Sequence, residues 1–336
     1  MAKKALITGI SGQDGSYLAQ LLLKEGYEVI GIERRTASND NFRLKYLKIY
    51  EDIKIYAYDI LDYAVIIKLI QNEKFDEIYN LAAQSFVGAS WDNPITTSNI
   101  NSIGVVNLLE AVRQFSPTTK FYQASTSEMF GLVQSTPQNE LTPFYPRSPY
   151  GVSKLYSHWM TINYRESFDL HACSGILFNH ESPLRGIEFV TKKIINGLCK
   201  INSNSESVLS LGNIDAERDW GFAGDYVKAM HMMLQSKTAD DYVIGSGIKY
   251  SVRDFCTITL DKLNIGHYWK GEGINEKCYD IKNDKEIINI SEKYFRPAEV
   301  NMLLADPLKA KDKLGWSSET SLDKLIEMMI EYELKH

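Results

Sequence analysis

An α/β fold, built on a doubly wound parallel sheet and followed by a smaller C-terminal lobe, is predicted by three observations. Short apolar, β-branched runs alternate with amphipathic helical stretches from residue 5 to residue 178, the pattern of βαβ units. The first run stops at glycines 9, 12 and 15, from which a helix with Tyr17, Leu18, Leu21 and Leu22 at helical spacing begins. Beyond Phe178 the alternation fades into loops rich in polar and cationic residues. The boundaries expected are residues 1–178 for the sheet domain and 179–336 for the second lobe, with some later segments returning to the first.

Composition narrows the function classes. A chain of 336 residues can bury a large core, and 37 Lys plus Arg against 43 Asp plus Glu gives a net charge of -6 with no basic tract. Nucleic acid is therefore not expected as a partner. The 4 cysteines are scattered, without CxxC or HExxH, so neither a disulfide framework nor a metal site is expected, and a reducing, cytoplasmic setting fits best. The apolar run at the N-terminus is too short for a signal peptide, and no stretch approaches the ~20 apolar residues of a membrane span.

In chain order, residues 5–8 read as the first strand. Gly9, Gly12, Gln13, Asp14 and Gly15 form a turn whose glycines let backbone approach a pyrophosphate while the helix N-terminus faces its charge. The spacing differs from GxGxxG, yet its place between a first strand and a first helix predicts a dinucleotide site of Rossmann type. Residues 27–33 form a second strand ending in Glu33, Arg34, Arg35 and, three further on, Ser38. A carboxylate there favours the ribose hydroxyl of NAD, whereas two arginines and a serine favour the 2′-phosphate of NADP, which is the cofactor expected. A solvated basic turn is the plainer alternative.

Residues 53–58 form a third strand, closing on Asp59, a candidate acceptor for an adenine amino group, with Asp62 an N-cap for the helix that follows. Residues 77–80 form a fourth strand, and residues 81–85 a small-residue turn suited to passing beneath a cofactor. A helix over 97–115 places Ile100, Ile103, Val106, Leu109 and Val112 in the core. Residues 120–125 form a fifth strand that delivers Thr126 and Glu128 to its carboxyl end, where parallel sheets bind ligands. A helix over 150–168 and a sixth strand over 172–178 complete the sheet. In the second lobe, residues 282–292 are expected to be a charged, solvated loop or lid, and residues 322–334 an amphipathic terminal helix.

Tyr150 and Lys154 stand at i and i+4 on one helix face, where a fixed ammonium favours the phenolate and brings the tyrosine toward service as a base at neutral pH. Tyr and Lys at this spacing also occur as ordinary solvated pairs, so the other features decide between the two.

Together with the glycine turn and the order of lobes, the Thr126…Tyr150-x-x-x-Lys154 set resembles the extended short-chain dehydrogenase/reductase superfamily. Longer strings narrow it. Asn80-Leu-Ala-Ala-Gln-Ser85, Phe121-Tyr-Gln-Ala-Ser-Thr-Ser-Glu128, Phe144-Tyr-Pro-Arg-Ser-Pro-Tyr150, Asn163-Tyr-Arg-Glu166, Phe178-Asn-His-Glu-Ser-Pro183, Arg218-Asp-Trp-Gly221 and Tyr294-Phe-Arg-Pro-Ala-Glu-Val300 are similar to GDP-mannose 4,6-dehydratases from end to end.

The resemblance implies that Tyr150 accepts the proton of the sugar's 4-hydroxyl while carbon 4 gives a hydride to NADP, with Lys154 stabilising the phenolate. Thr126 orients the 4-oxygen, Glu128 removes the proton on carbon 5, water leaves carbon 6, and the hydride returns there. By the same resemblance the cofactor shell comprises the glycine turn, Arg34, Arg35, Asp59, Ile60, Leu81, Ala82, Ala83, Gln84, Ser85, Thr96, Lys154, His180 and Arg185. The GDP-sugar falls to Ser85, Ser127, Asn179, Lys193, Arg218, Arg296 and Glu299, and a homodimer or homotetramer is implied. The chain departs from the family pattern at Phe86, Leu184, Phe222 and Thr96, where the family usually has histidine, arginine, histidine and an aromatic. Relatives acting on GDP-manno-heptose are accordingly the alternative, ahead of a nucleotide-sugar epimerase or reductase and of a non-catalytic NADP-binding regulator.

Overall fold

A computed structural model describes residues 2–35, 40–203 and 207–336. Ser38, expected beside the 2′-phosphate, lies outside the described residues. Among the described residues fourteen strands follow one another: β1 (Lys4–Thr8), β2 (Glu28–Glu33), β3 (Lys54–Ala57), β4 (Glu77–Asn80), β5 (Lys120–Thr126), β6 (Ala172–Leu177), β7 (Asn179–Glu181), β8 (Leu209–Leu211), β9 (Glu217–Phe222), β10 (Asp241–Ile244), β11 (Lys249–Ser251), β12 (His267–Lys270), β13 (Lys277–Asp280) and β14 (Glu286–Ile290). Seven of them form one sheet in the order β10-β6-β5-β4-β1-β2-β3, every pair parallel.

Strands covered on both faces favour apolar residues on both, as in β1 and β6, and the four residues of β4 are buried as well, its Glu77 and Asn80 hydrogen-bonded. One face is covered by the helices Gln13–Lys24 and Ala223–Gln235, the other by Tyr63–Glu73 and Gly104–Phe115. The order of strands reverses between β1 and β4, and in such sheets the crevice outside the carboxyl ends at that point is where ligands lie. Buried side chains cross the crevice floor: the Thr8 hydroxyl donates to Asn80 Oδ1 at 2.6 Å, and Asn80 Nδ2 donates to Gln123 Oε1 at 2.8 Å.

The later half of the chain returns to the first sheet. β10 adds itself beside β6 and is tied there by Arg165, whose guanidinium holds the Asp241 carboxylate at 2.7 and 3.1 Å. The remaining second-lobe strands form a β11-β9-β7 sheet and a β12-β13-β14-β8 sheet. The latter packs with the helices Val190–Asn202, Val252–Lys262 and Leu322–Lys335 around a separate apolar core.

Two expectations need correction. Residues 282–292 contain β14, with Ile287 and Ile288 buried, rather than a solvated loop or lid. The charges that suggested solvent belong to the turn into that strand, and Lys277 pairs Glu286 across it at 2.7 Å. The helix expected over 97–115 is interrupted by a π-turn at Asn99–Ile103. The extra residue in that turn rotates the apolar stripe, so that Val105, Leu108, Leu109 and Val112 are buried while Ile103 is exposed and Val106 only half-buried. The terminal helix Leu322–Lys335 does pack by Leu322, Leu325, Ile326, Met329 and Ile330, as its pattern indicates.

Candidate active site

A cavity of about 1000 Å³ opens at the carboxyl ends of the central strands, with the glycine turn on one side and second-lobe loops on the other. The turn needs its glycines. Gly9 has φ +70°, and a Cβ there would lie 2.9 Å from the Ala82 nitrogen. A Cβ on Gly15 would stand 2.4 Å from the Gly9 carbonyl oxygen. Gly12 is the N-cap of the helix Gln13–Lys24, and no side chain caps that end. Bare backbone at an uncapped helix N-terminus is the cradle a pyrophosphate requires, so the residues fit a dinucleotide.

An acidic residue in that cradle would repel phosphate, but Asp14 is neutralised. Its carboxylate receives His180 Nε2 at 2.7 Å, and His180 Nδ1 lies 2.7 Å from the Phe178 carbonyl oxygen. Burial pushes Asp14 upward, yet the His180 charge and hydrogen bond prevail and hold it at about 2. Burial likewise opposes charge on His180, and Asp14 outweighs it, raising that pKa. Gln13 completes the join, donating to the His180 carbonyl at 3.1 Å and accepting from the Ser182 hydroxyl at 2.7 Å. The turn and the entry to the second lobe are thereby fastened together.

β5 ends at Thr126, whose hydroxyl accepts from the Glu128 backbone N–H at 3.2 Å. The helix Pro149–Phe168 starts where the sequence dictates: Pro149 occupies its first turn, and Ser148 caps it by accepting from Gly151 N at 3.0 Å. It brings Tyr150 and Lys154, both buried, to the cavity wall beside Thr126 and Glu128. Burial works against the phenolate expected. Burial pushes Tyr150 up to about 12, and a hydrogen bond with Thr126 only partly offsets it. Lys154, brought down to about 8 by burial, directs its ammonium at the Ala124 carbonyl at 2.9 Å instead of the phenol.

The second lobe supplies the opposite wall with Asn179, Arg185, Lys193, Arg218, Arg296 and Glu299. Arg296 Nη1 lies 3.4 Å from Glu128 Oε1, and Arg218 Nη2 lies 3.6 Å from Glu299 Oε1. Lys193 stands 3.4 Å over the Tyr294 ring and donates to the Ser210 carbonyl at 2.7 Å. Arg185 pairs with Glu181 at 3.0 Å and stacks on Phe189 at 3.5 Å. The Asn179 side-chain oxygen is buried with no hydrogen-bond partner among the described residues.

Leu81, Ala82, Ala83, Ser85 and Ser127 also line the cavity, whereas Gln84, Arg34, Arg35, Asp59, Ile60 and Thr96 do not. Arg34 and Arg35 are exposed just past β2. Asp59 accepts from Leu61 N at 2.9 Å, and Ile60 is buried against the helix Gly104–Phe115. Thr96 is exposed, and it is the buried Thr97 that reaches inward, donating to Gln84 Oε1 at 3.3 Å. Sequence reasoning missed Asn101, which accepts from Gln84 N at 2.9 Å and donates to Gln84 O and Ser153 Oγ, each at 3.1 Å. Asparagine amid a helical run, a weak helix former, was the available signal. It also missed the aromatic lining of Trp91, Phe189 and Phe295, which Phe86 joins. Phe86 packs edge-on to Phe189 with ring centroids 5.9 Å apart. Among the described residues no helix is long and apolar enough to cross a membrane, and no group of three or more His, Cys, Asp or Glu could hold a metal ion.

A family model described as GDP-mannose 4,6 dehydratase matches residues 6–329. The chain is 48% identical over 354 residues to a GDP-mannose 4,6-dehydratase of Vibrio cholerae, spanning 100% of this chain and 95% of that protein. It is 46% identical over 341 residues to the GDP-mannose 4,6 dehydratase of Homo sapiens, spanning 98% and 91%. Among solved structures it is similar to a dTDP-glucose 4,6-dehydratase from Streptomyces venezuelae with NAD and TYD bound, at TM-score 0.85 and 21% identity over 99% and 97% of the two chains. A UDP-glucuronic acid 4-epimerase from Bacillus cereus is similar at TM-score 0.83 and 24% identity over 99% of each. These two likenesses concern the fold.

Proposed function

The chain belongs to the GDP-mannose 4,6-dehydratase family, and from that membership we propose how its cavity performs the reaction. The protein is a hydro-lyase that converts GDP-mannose to its 4-keto-6-deoxy product. The observation that supports the assignment of roles is the convergence of Thr126, Glu128, Tyr150 and Lys154 on one wall of a cavity whose other end is the glycine turn.

NADP held by the glycine turn, with Lys154 and His180 beside it, would supply a hydride acceptor for carbon 4 and a hydride donor for carbon 6. Tyr150 accepts the 4-hydroxyl proton, and Thr126 holds the oxygen that becomes the ketone. Because burial pushes the Tyr150 phenol up, its deprotonation calls for positive charge close by, which Lys154 can bring and an oxidised cofactor ring would add. The 4-ketone acidifies the proton on carbon 5. Glu128 removes that proton and passes one to the departing hydroxyl of carbon 6. Arg34 and Arg35, exposed at the end of β2, suit a 2′-phosphate and support NADP over NAD. Asn179, Lys193, Arg218 and Arg296 take the GDP moiety, the cations facing its diphosphate.

A homodimer or homotetramer is supported by the outer face of the helix Pro149–Phe168. There Val152, Tyr156 and Trp159 recur at helical spacing and are 55%, 45% and 54% exposed, beside Ile103 of the neighbouring π-turn. The reaction is tested by incubating the protein and NADP separately with GDP-mannose and GDP-manno-heptose and weighing the products. Loss of one water from GDP-mannose is expected. Loss from the heptose alone would move the substrate assignment, and no loss from either would overturn the roles given to Glu128 and Tyr150.

A further inference from the structure

Resting on that reading, the charges around Glu128 carry one step more. Glu128, Arg218, Arg296 and Glu299 form a balanced group of two carboxylates and two guanidinium ions inside the cavity. Arg218 is buried and fixed by donating to the Glu217 carbonyl at 2.9 Å. Arg296 differs. Its side chain is 33% exposed, it sits on the loop after a short 3-10 turn at Glu292–Tyr294, and its one ion-pair partner among the described residues is the Glu128 carboxylate, itself 11% exposed. At 3.4 Å that contact is longer than the ~2.7–2.9 Å of a good charge-assisted bond, so a better anion displaces it at small cost.

We propose that Arg296 is a substrate-operated latch on Glu128. In the free enzyme the guanidinium occupies the carboxylate. The arriving diphosphate, with more charge and several oxygens for a fork of N–H donors, draws the guanidinium away and leaves Glu128 free to face carbon 5. The group that recognises the nucleotide thus also releases the base, and Glu128 stays occupied in a cleft holding cofactor but no sugar nucleotide. Arg296 acts as a positioning residue through Glu128. The same exchange makes Glu128 a competitor of the diphosphate for one cation, and linkage requires that removing the competitor strengthens diphosphate binding.

GDP alone is the probe, with binding measured by titration calorimetry on the NADP-loaded protein. Glu128→Gln is expected to bind GDP roughly three- to fivefold more tightly than wild type, the range for a part-exposed ion pair. Arg296→Gln is expected to bind at least about tenfold more weakly. The decisive variant is the double one. If Glu128 acts through Arg296, Glu128→Gln has no effect in the Arg296→Gln background, whereas general relief of negative charge would persist there and overturn the latch. Equal affinity of wild type and Glu128→Gln overturns it too. A crystal structure with GDP bound supplies a second readout: the guanidinium against phosphate and away from Glu128 is expected, and an intact pair refutes the proposal. No GDP binding by the wild-type protein would instead remove the nucleotide-sugar reading on which the latch depends.

Discussion

Replacing Asp14 with Asn removes the charge that His180 faces where the glycine turn meets the second lobe. The side chains are 22% and 12% exposed and 2.7 Å apart, so solvent screens the pair little. The Asp14 carboxyl is held at about 2 instead of 3.8, and at ~1.36 kcal/mol per pH unit the difference corresponds to about 2 kcal/mol of stability above pH 4, for as long as His180 keeps its proton. Gln13 and Arg185 share in holding Asp14 down, so this is a ceiling for the ion pair. With an unfolding entropy of ~2.1 cal/mol/K per residue, a 336-residue chain loses roughly 3 °C in Tm.

The sign is different at the two ends of the pH scale. A depressed carboxylate contributes above its unfolded value of 3.8 and loses that contribution as pH falls through about 2. A raised histidine contributes below 6.5 and loses it as pH rises through its folded value. The window in which both hold is therefore about pH 4 to 6.5 and declines on the alkaline side. Thermal denaturation of wild type and Asp14→Asn without cofactor, from pH 5 to pH 10, should show the full deficit near pH 5 and roughly half of it or less at pH 10. A deficit that is constant with pH, or greatest in alkali, would refute the charged pair.

Glu128→Gln should lower turnover on GDP-mannose by about 10²–10⁴-fold. Reduced cofactor, followed by its near-ultraviolet absorbance, should accumulate without dehydrated product, and normal turnover would remove Glu128 from the mechanism. Arg34→Ala and Arg35→Ala together should weaken NADP binding by roughly tenfold or more in a fluorescence titration while NAD binding changes little; equal losses for both cofactors would contradict a 2′-phosphate site. Gly15→Ala places a methyl group 2.4 Å from a backbone oxygen, at a cost of about 1–3 kcal/mol. A melting temperature and NADP affinity equal to wild type would show that the turn is looser than described.

The parallel strands were legible because a strand buried on both faces has no polar register to confuse its apolar run, as in residues 5–8. The helix bearing Tyr150 was legible for a local reason, its Ser148-Pro149 start. Where tertiary structure decided, the sequence misled. Turn charges concealed Ile287 and Ile288, the π-turn moved the buried stripe after Ile103, and Thr97 rather than Thr96 turns inward. The phenolate expected of Tyr150 rested on spacing, which is blind to burial and to the Ala124 carbonyl that draws Lys154 away. The contact between Arg296 and Glu128 spans 168 positions, beyond any local pattern.

The lateness of β10 bears on synthesis. β6, buried along its whole length, is paired on its outer edge, among the described residues, by residues 241–244, with Glu140 accepting from Val243 N at 2.7 Å on the far side of that covering strand. On the ribosome, at about 5–20 residues per second, the sheet waits several seconds with that apolar edge unpaired. Nascent chains are then open to pairing with one another, and a translational pause before residue 244 would lengthen the exposure. Yield of soluble protein should therefore follow the codon speed of that interval more closely than that of the last helix.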